Sequence, residues 1–92
     1  MSNLDVEQLE TLLSGLNDWQ VQDGKLHKVF EFQDFAEAFA FMARVALVAE
    51  KADHHPDWSN SYRKVVIDLV THSTGGITQK DIDLARTIDV FS

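Results

Sequence analysis

Two adjacent histidines and the acidic residues near them could together perform acid–base chemistry. His54 and His55 lie in the run Asp53-His54-His55-Pro56, and Glu50 stands four residues before His54. Imidazole has an unperturbed pKa of about 6.5, so it can donate or accept a proton near neutral pH. This segment therefore predicts a site for proton transfer, with carboxylates close enough to orient the imidazoles.

The sequence before these residues predicts a long helix that positions them. Phe35 to Ala49 is almost uninterrupted apolar sequence without Gly or Pro, and it is too long to be one strand. Asp34 is the expected N-cap, because Glu37 stands three residues later in the position of a capping-box acid. Pro56 disfavours helical geometry at the residue before it, so we expect the helix to end near His54.

Apolar residues of this helix recur at the spacing of one core-facing stripe. With about 3.6 residues per turn, the stripe continues to Glu50 and Asp53, with His54 beside them. We therefore expect a pocket at the helix end, floored by apolar groups and rimmed by carboxylates and imidazoles. The alternative is that the helix simply emerges into solvent there. The predicted stripe consists of Phe35, Phe39, Met42, Ala43 and Ala46.

The rest of the chain predicts two further helices and four strands. A turn signal at Asp23-Gly24 joins the first two strands as a hairpin. The order α-β-β-α-β-β-α predicts an α+β fold, a two-layer sandwich in which helices cover one face of a four-stranded antiparallel sheet. The elements are a helix over Asn3–Leu16, strands over Trp19–Val21, Leu26–Phe32, Trp58–Asn60 and Tyr62–Val70, and a helix from Thr78.

Alternation along the strands separates a core face from an outer face. In the second strand, Leu26, Phe30 and Phe32 share one face, which we expect to look into the core. In the last strand, predicted to be the longest, Val65, Ile67 and Leu69 share one face and Val66, Asp68 and Val70 share the other. That strand runs into a polar, glycine-rich loop, Thr71–Gly76, which contains His72. His27 lies on the outer face of its strand, where we expect it to meet solvent and to have no catalytic role. Asp81 stands where a capping-box acid of the final helix is expected.

Composition limits the classes of function. The 92 residues, 45% of them hydrophobic, predict one domain over residues 1–92 with a modest core. The net charge of -7 argues against a general binder of nucleic acids or anionic membranes, since both need a basic surface. No run is long enough to span a membrane, and Met1–Asp5 does not read as the start of a signal peptide. The absence of cysteine excludes disulfides and thiolate chemistry and fits the cytoplasmic location that we expect.

The long helix carries more apolar groups than one buried face needs. Ala40, Phe41, Leu47 and Val48 lie on its second side, among charged residues. Isolated exposed apolar residues are common on soluble proteins, which is one explanation. We prefer the other explanation, a subunit interface.

A specific combination of motifs resembles one known family. The run Asp53-His54-His55-Pro56 is followed by Trp58, and Thr71-His72 stands at the end of a strand. Over these motifs, and from about Trp19 to Ile88, the chain is similar to the pterin-4a-carbinolamine dehydratases, also called dimerization cofactors of hepatocyte nuclear factor 1. The other matching segments are Phe39–Leu47, Ala49–Asp53, Asn60, Tyr62, Lys64-Val65 and Asp81–Ala85.

The resemblance implies a fold and an activity. Members of the family have an antiparallel sheet with helices on one face, in agreement with the predicted order of elements. They dehydrate 4a-hydroxytetrahydropterins to quinonoid dihydropterins after aromatic amino acid hydroxylases have used the tetrahydropterin, as part of tetrahydrobiopterin recycling. They are homodimers or homotetramers, so the resemblance implies self-association through the long helix. It implies a pterin substrate and no cofactor.

The resemblance also implies roles for individual residues. His54 and His72 match the proton-transfer pair, and His55 matches a histidine that binds substrate or assists. A helix C-terminus and nearby carboxylates favour a protonated imidazole, which makes His54 a candidate for the acid. Beside the three histidines, the expected substrate contacts are Trp19, Glu50, Asp53, Val70, Thr71 and Ser73. The sequence departs from vertebrate members at Val70, Thr74 and Lys80.

Proton transfers suffice for the implied chemistry. A carbinolamine carries its hydroxyl and its amine nitrogen on one carbon, so loss of water needs a proton delivered to the hydroxyl and another removed from the ring nitrogen. A zinc site is one alternative for these residues. However, adjacent histidines on a helix point about 100° apart and rarely chelate one ion, so we expect no metal. The other alternative is an interaction module that binds a partner protein through the outer face of the long helix.

Overall fold

A computed structural model describes residues 2–92 and shows the predicted order of helices and strands. The elements are α1 (Val6–Leu13), β1 (Gln20–Gln22), β2 (Lys25–Glu31), α2 (Phe35–Ala52), β3 (Asp57–Ser61), β4 (Lys64–Leu69) and α3 (Gln79–Phe91). All neighbouring strands pair antiparallel in the order β1-β2-β4-β3, and the α+β sandwich is confirmed. Within residues 2–92, no helix combines the length and the apolar character that a membrane span requires.

The core lies between the sheet and the helices. The two central strands pair with Leu26 opposite Leu69 and Phe30 opposite Val65. These side chains are all buried, because alternate residues of a strand point to the same face. Helix α3 packs against α2 above this face and contributes Ile82 among the fully buried residues. The predicted core-facing side of β2 is therefore confirmed: Leu26 and Phe30 are buried, and Phe32 packs against the core.

The buried face of α2 differs from the predicted stripe. Its buried residues are Ala38, Phe41, Val45 and Ala49, whereas Phe35 and Phe39 are 48% and 56% exposed. Phe41 was assigned to the outer side, yet its ring lies 4.8 Å from the ring of Phe30, centroid to centroid. The prediction was wrong because α2 is apolar on most of its surface, so periodicity alone does not determine which face contacts the sheet. The exposed apolar face consists of Phe35, Phe39, Ala43, Ala46 and Leu47.

Two element boundaries also differ from the prediction. Helix α1 is shorter than the predicted Asn3–Leu16 because Asp5 is its N-cap and forms a capping box with Gln8. Strand β4 has 6 residues and is shorter than β2, which has 7. The turn before β4 places Tyr62 at a positive φ of 54°, a conformation that a strand does not allow.

A buried ion pair ties the C-terminal half of α3 to the sheet. The Lys28 Nζ atom lies 2.8 Å from Asp89 Oδ1, and both side chains are 10% exposed. The Trp19 indole N–H donates to the same oxygen at 2.9 Å, and the backbone N–H of Asn17 donates to Asp89 Oδ2 at 3.1 Å. The ring of Trp19 packs edge-on against Phe30, with centroids 5.9 Å apart, so Trp19 is a core residue.

Candidate active site

The end of α2 turns the chain so that His54 points inward. Asp53 is the C-cap in the left-handed conformation, with φ 51° and ψ 42°, which aspartate tolerates better than most residues. The backbone N–H of His54 then donates to the carbonyl of Ala49 at 3.1 Å. As a result His54 is only 8% exposed, although the helix end around it is in solvent.

The imidazole of His54 contacts a fully buried carboxylate. Its Nε2 lies 2.5 Å from Asp81 Oδ1, and Asp81 is 0% exposed. The other carboxylate oxygen, Oδ2, accepts hydrogen bonds from the backbone N–H of Thr78 and from the hydroxyl of Thr71, each at 2.9 Å. Asp81 thus completes the predicted capping box of α3 and, at the same time, holds the His54 ring.

A cleft of about 290 Å³ lies beside this pair. Its size is near the lower end of small-molecule sites, which suits one small heterocycle. The cleft brings together the segment after α2 and the loop after β4, which are distant in sequence. Its lining residues are Asp53, His54, His55, Pro56, Asp57, Thr71, His72, Ser73 and Lys80.

The other two histidines of the cleft are in a different environment from His54. The side chain of His55 is 57% exposed, and its Nε2 lies 2.8 Å from Glu50 Oε1. The side chain of His72 is 71% exposed, and its Nε2 lies 3.7 Å from Asp57 Oδ2. The cleft therefore combines one imidazole that is buried and held by a carboxylate with two imidazoles that are largely exposed to solvent.

Most of the predicted site residues meet at this cleft. Glu50 does not line it but contacts His55. Val70 is 8% exposed and does not line the cleft, and Trp19 lies in the core beside Asp89. The six predicted residues that line the cleft are Asp53, His54, His55, Thr71, His72 and Ser73.

Sequence reasoning missed three ionisable residues of the cleft and its surroundings, Asp57, Lys80 and Asp81. Asp81 was explained completely as a capping acid, so its second role beside His54 left no separate signal. The carboxylate in contact with His54 is therefore Asp81, and not Glu50 or Asp53 as the acid assignment assumed. Asp57 lies four residues after the C-cap of α2, and Lys80 lies two residues after the N-cap of α3. This closeness in sequence to the predicted site was the available signal. Across residues 2–92, no three His, Cys, Asp or Glu side chains are grouped so that they could hold a metal ion.

Comparison with known proteins gives consistent matches along the whole chain. Residues 2–91 match the family described as pterin 4 alpha carbinolamine dehydratase. A protein of Synechococcus sp. described as a pterin-4-alpha-carbinolamine dehydratase is 52% identical over 90 residues, covering 98% of this chain and 97% of its own. One of Rhodospirillum rubrum with the same description is 51% identical over 88 residues, covering 94% and 92%.

A solved structure has the same fold. The crystal structure of a transcriptional coactivator/pterin dehydratase from Brucella melitensis superposes with a TM-score of 0.94 at 42% identity, covering 98% of both chains.

Proposed function

The chain belongs to the pterin-4a-carbinolamine dehydratase family and is a hydro-lyase, and from this premise we propose that it dehydrates 4a-hydroxytetrahydropterins to quinonoid dihydropterins in tetrahydrobiopterin recycling. The observation that carries the proposal is the pair of His54 and Asp81 at the wall of a cleft that also contains His72. We also propose a cytoplasmic location, with which the cysteine-free sequence is compatible.

The two histidines take opposite roles in the proposed reaction. His54 delivers a proton to the C4a hydroxyl, the C4a–O bond breaks, and water leaves with the bonding electrons. A proton leaves the ring nitrogen to His72, and the electrons of the N–H bond form the new C=N bond. His54 suits the acid role because Asp81 holds its ring and stabilises positive charge on it. His72 suits the base role because its exposure lets it release the proton to water.

The remaining residues of the cleft are proposed to bind the pterin. His55 is held by Glu50 at the rim and can contact the ring or assist the proton transfers. The carboxylate of Asp53 can accept hydrogen bonds from the N–H groups of the pterin pyrimidine ring. Thr71 and Ser73 can offer backbone groups from the loop on the other side of the cleft.

Stopped-flow measurement of dehydration tests the proposal. A freshly generated 4a-hydroxytetrahydropterin is followed by ultraviolet absorbance with wild type, His54→Ala and His72→Ala. We expect wild type to accelerate the reaction and each variant to lose about 10²–10⁴-fold in kcat, the typical contribution of a general acid or base. His27→Ala is the control, because His27 pairs with Asp68 on the sheet and does not line the cleft. No acceleration by folded wild type would overturn the proposal.

We further propose that the exposed apolar face of α2 is a subunit interface of a homodimer or homotetramer. Leu47 is 74% exposed, and the rings of Phe35 and Phe39 lie 5.7 Å apart on the same face. Such a continuous apolar surface is typical of interfaces. Light scattering of Leu47→Glu should show a smaller assembly than that of wild type. An unchanged mass would exclude this face as the subunit interface.

A role as an interaction module is the second candidate function. The structural relative from Brucella melitensis is described as a transcriptional coactivator as well as a pterin dehydratase. The same face of α2 would bind the partner protein. A His54→Ala variant that keeps its assembly but loses turnover would separate the two functions, since only the dehydratase needs the histidine.

A further inference from the structure

The loop that carries His72 is only partly held by its own hydrogen bonds. The backbone N–H of Thr71 donates to the carbonyl of Gly76 at 2.9 Å. The carbonyl of Thr71 accepts from the N–H of Gly75 at 2.9 Å and from the N–H and the hydroxyl of Thr74, each at 3.2 Å. These bonds close the base of the loop. His72 and Ser73, which line the cleft, are exposed, so their positions depend on the loop as a whole.

Residues 2–5 form a short segment that lies across the same loop. The backbone N–H of Leu4 donates to the carbonyl of Ile77 at 2.8 Å. The side-chain amide of Asn3 donates through Nδ2 to the carbonyl of Thr74 at 3.2 Å. One of these hydrogen bonds reaches the loop itself, at Thr74, and the other reaches Ile77, the residue that follows it, both from a segment about 70 residues away in sequence.

Gly76 is the residue that lets Asn3 come this close. A Cβ atom at Gly76 would lie 2.7 Å from both Cγ and Nδ2 of Asn3, which is closer than real Cβ contacts. Gly75 has a positive φ of 71°, but Gly76 does not, so Gly76 is not needed for backbone conformation. Its missing side chain instead makes room for the Asn3 amide.

We propose that Asn3 is a positioning residue, which holds the His72 loop against the cleft through Thr74 and Gly76. The kinetic part of this inference rests on the proposed function, because His72 has a role in turnover only if the chain acts on a pterin. The physical argument is a shift between two loop states. Without the Asn3 contact the loop opens more often, and the site competent to bind substrate is present for a smaller fraction of time.

Asn3→Ala and Gly76→Ala disturb this contact from opposite sides. Asn3→Ala removes the amide, whereas Gly76→Ala places a methyl group where the amide lies and pushes it off Thr74. We expect both variants to raise the amide exchange rates of Thr74 and Gly75 about two- to tenfold, the factor that corresponds to the net free energy of one hydrogen bond. KM should rise by up to about tenfold, with kcat unchanged within about twofold, because bound substrate restores the closed loop.

The double variant and global stability separate positioning from a general structural role. If Asn3 and Gly76 act through one contact, the double variant should raise loop exchange and KM no more than the more strongly affected single variant does. Gly76→Ala also restricts the unfolded chain, so its global stability should not fall even though its loop exchanges faster. A purely structural role would instead lower stability and leave KM unchanged.

Asn60→Ala is the matched control. The Asn60 amide also donates to backbone carbonyls, those of Tyr62 and Lys64, but in the β3–β4 turn at the far end of β3 from Asp57. It should leave loop exchange and KM unchanged. Unaltered loop exchange in Asn3→Ala, or additive effects in the double variant, would overturn the inference. If wild type itself shows no dehydration, the proposed function fails, while hydrogen exchange still tests whether Asn3 holds the loop.

Discussion

Helix α3 carries one buried carboxylate near each end, and the two have different partners. Asp89 pairs with the ammonium of Lys28, whose Nζ atom lies 4.6 Å from the centroid of the Phe30 ring. Asp81 instead pairs with the imidazole of His54, and this pair borders the cleft. Two carboxylates of one helix, each at most 10% exposed, thus differ in their partner: an ammonium beside core aromatic rings for Asp89, and an imidazole at the cleft for Asp81.

Burial and hydrogen bonding of a carboxylate alone therefore do not identify an active site. Both carboxylates accept hydrogen bonds at each oxygen, and each accepts one from a backbone N–H, that of Asn17 for Asp89 and that of Thr78 for Asp81. The pair of Asp89 and Lys28 does not line the cleft, so we expect it to contribute to folding only. A buried imidazole with an adjacent cleft can also transfer a proton, so we assign stability to the Asp89 end and chemistry to the Asp81 end.

The largest expected effect is on stability, from Asp89→Ala. This change leaves Lys28 as an uncompensated charge, because both side chains are 10% exposed. Removing one partner of a buried pair typically costs about 3–5 kcal/mol, which should lower Tm by more than about 10 °C in calorimetry. Asp83→Ala is the control on the exposed side of α3, where the side chain is 62% exposed. Turnover per folded Asp89→Ala molecule should match wild type. A loss of turnover would mean that the Asp89 end of α3 is not purely structural.

Asp81→Asn should have the opposite profile, a larger effect on turnover than on folding. Asparagine keeps the shape and one oxygen for the α3 cap, but it removes the negative charge beside His54. We expect kcat to fall about 10–100-fold, because a carboxylate that orients a catalytic imidazole acts through the tautomer and the charge of the ring. Stopped-flow dehydration and urea unfolding on the same samples give both quantities. If Asp81→Asn lowered the unfolding free energy but left kcat unchanged, Asp81 would have a structural role, as Asp89 has.

More of the fold than of the candidate site could be predicted from the sequence, because the fold depends largely on local signals and the site on tertiary contacts. Gly, Pro and capping residues are local signals, so the order of elements and the Thr78–Asp81 cap could be predicted. The buried face of α2 could not, because Phe39 and Phe41 are equally apolar and only packing selects between them.

The candidate site was found through residue types and a family resemblance, whereas its contacts depend on tertiary structure. His54 and Asp81 are 27 residues apart, and no periodicity relates a helix end to the start of another helix. The clamp formed by Asn3 left no signal either, because an asparagine near a helix start is normally explained as a cap.

A smaller effect is expected from His27→Ala, which tests whether a histidine–carboxylate pair without a cleft has any role in turnover. His27 Nδ1 lies 2.8 Å from Asp68 Oδ1 on the outer face of the sheet, and both side chains are partly exposed. A pair of this kind contributes about 0–1 kcal/mol, so denaturant unfolding should show a loss within that range. kcat and KM should match wild type within about twofold. A clear loss of turnover would mean that the outer face of the sheet takes part in the reaction.

The smallest effect is expected from Glu50→Gln at the rim of the cleft. Its contact with His55 has the same chemistry as that between Asp81 and His54, but the side chains are 80% and 57% exposed. Water and salt screen such a pair, so we expect a change in unfolding free energy of less than about 0.5 kcal/mol. Any rise in KM should disappear at about 1 M salt, where the wild-type pair is screened as well, whereas the kcat defect of Asp81→Asn should persist there because that pair is shielded from solvent. Measuring both variants at low and high salt therefore separates the rim from the wall of the cleft. If the Asp81→Asn defect also disappeared with salt, the buried pair would be acting as an exposed charge, and the distinction between the two ends of α3 would fail.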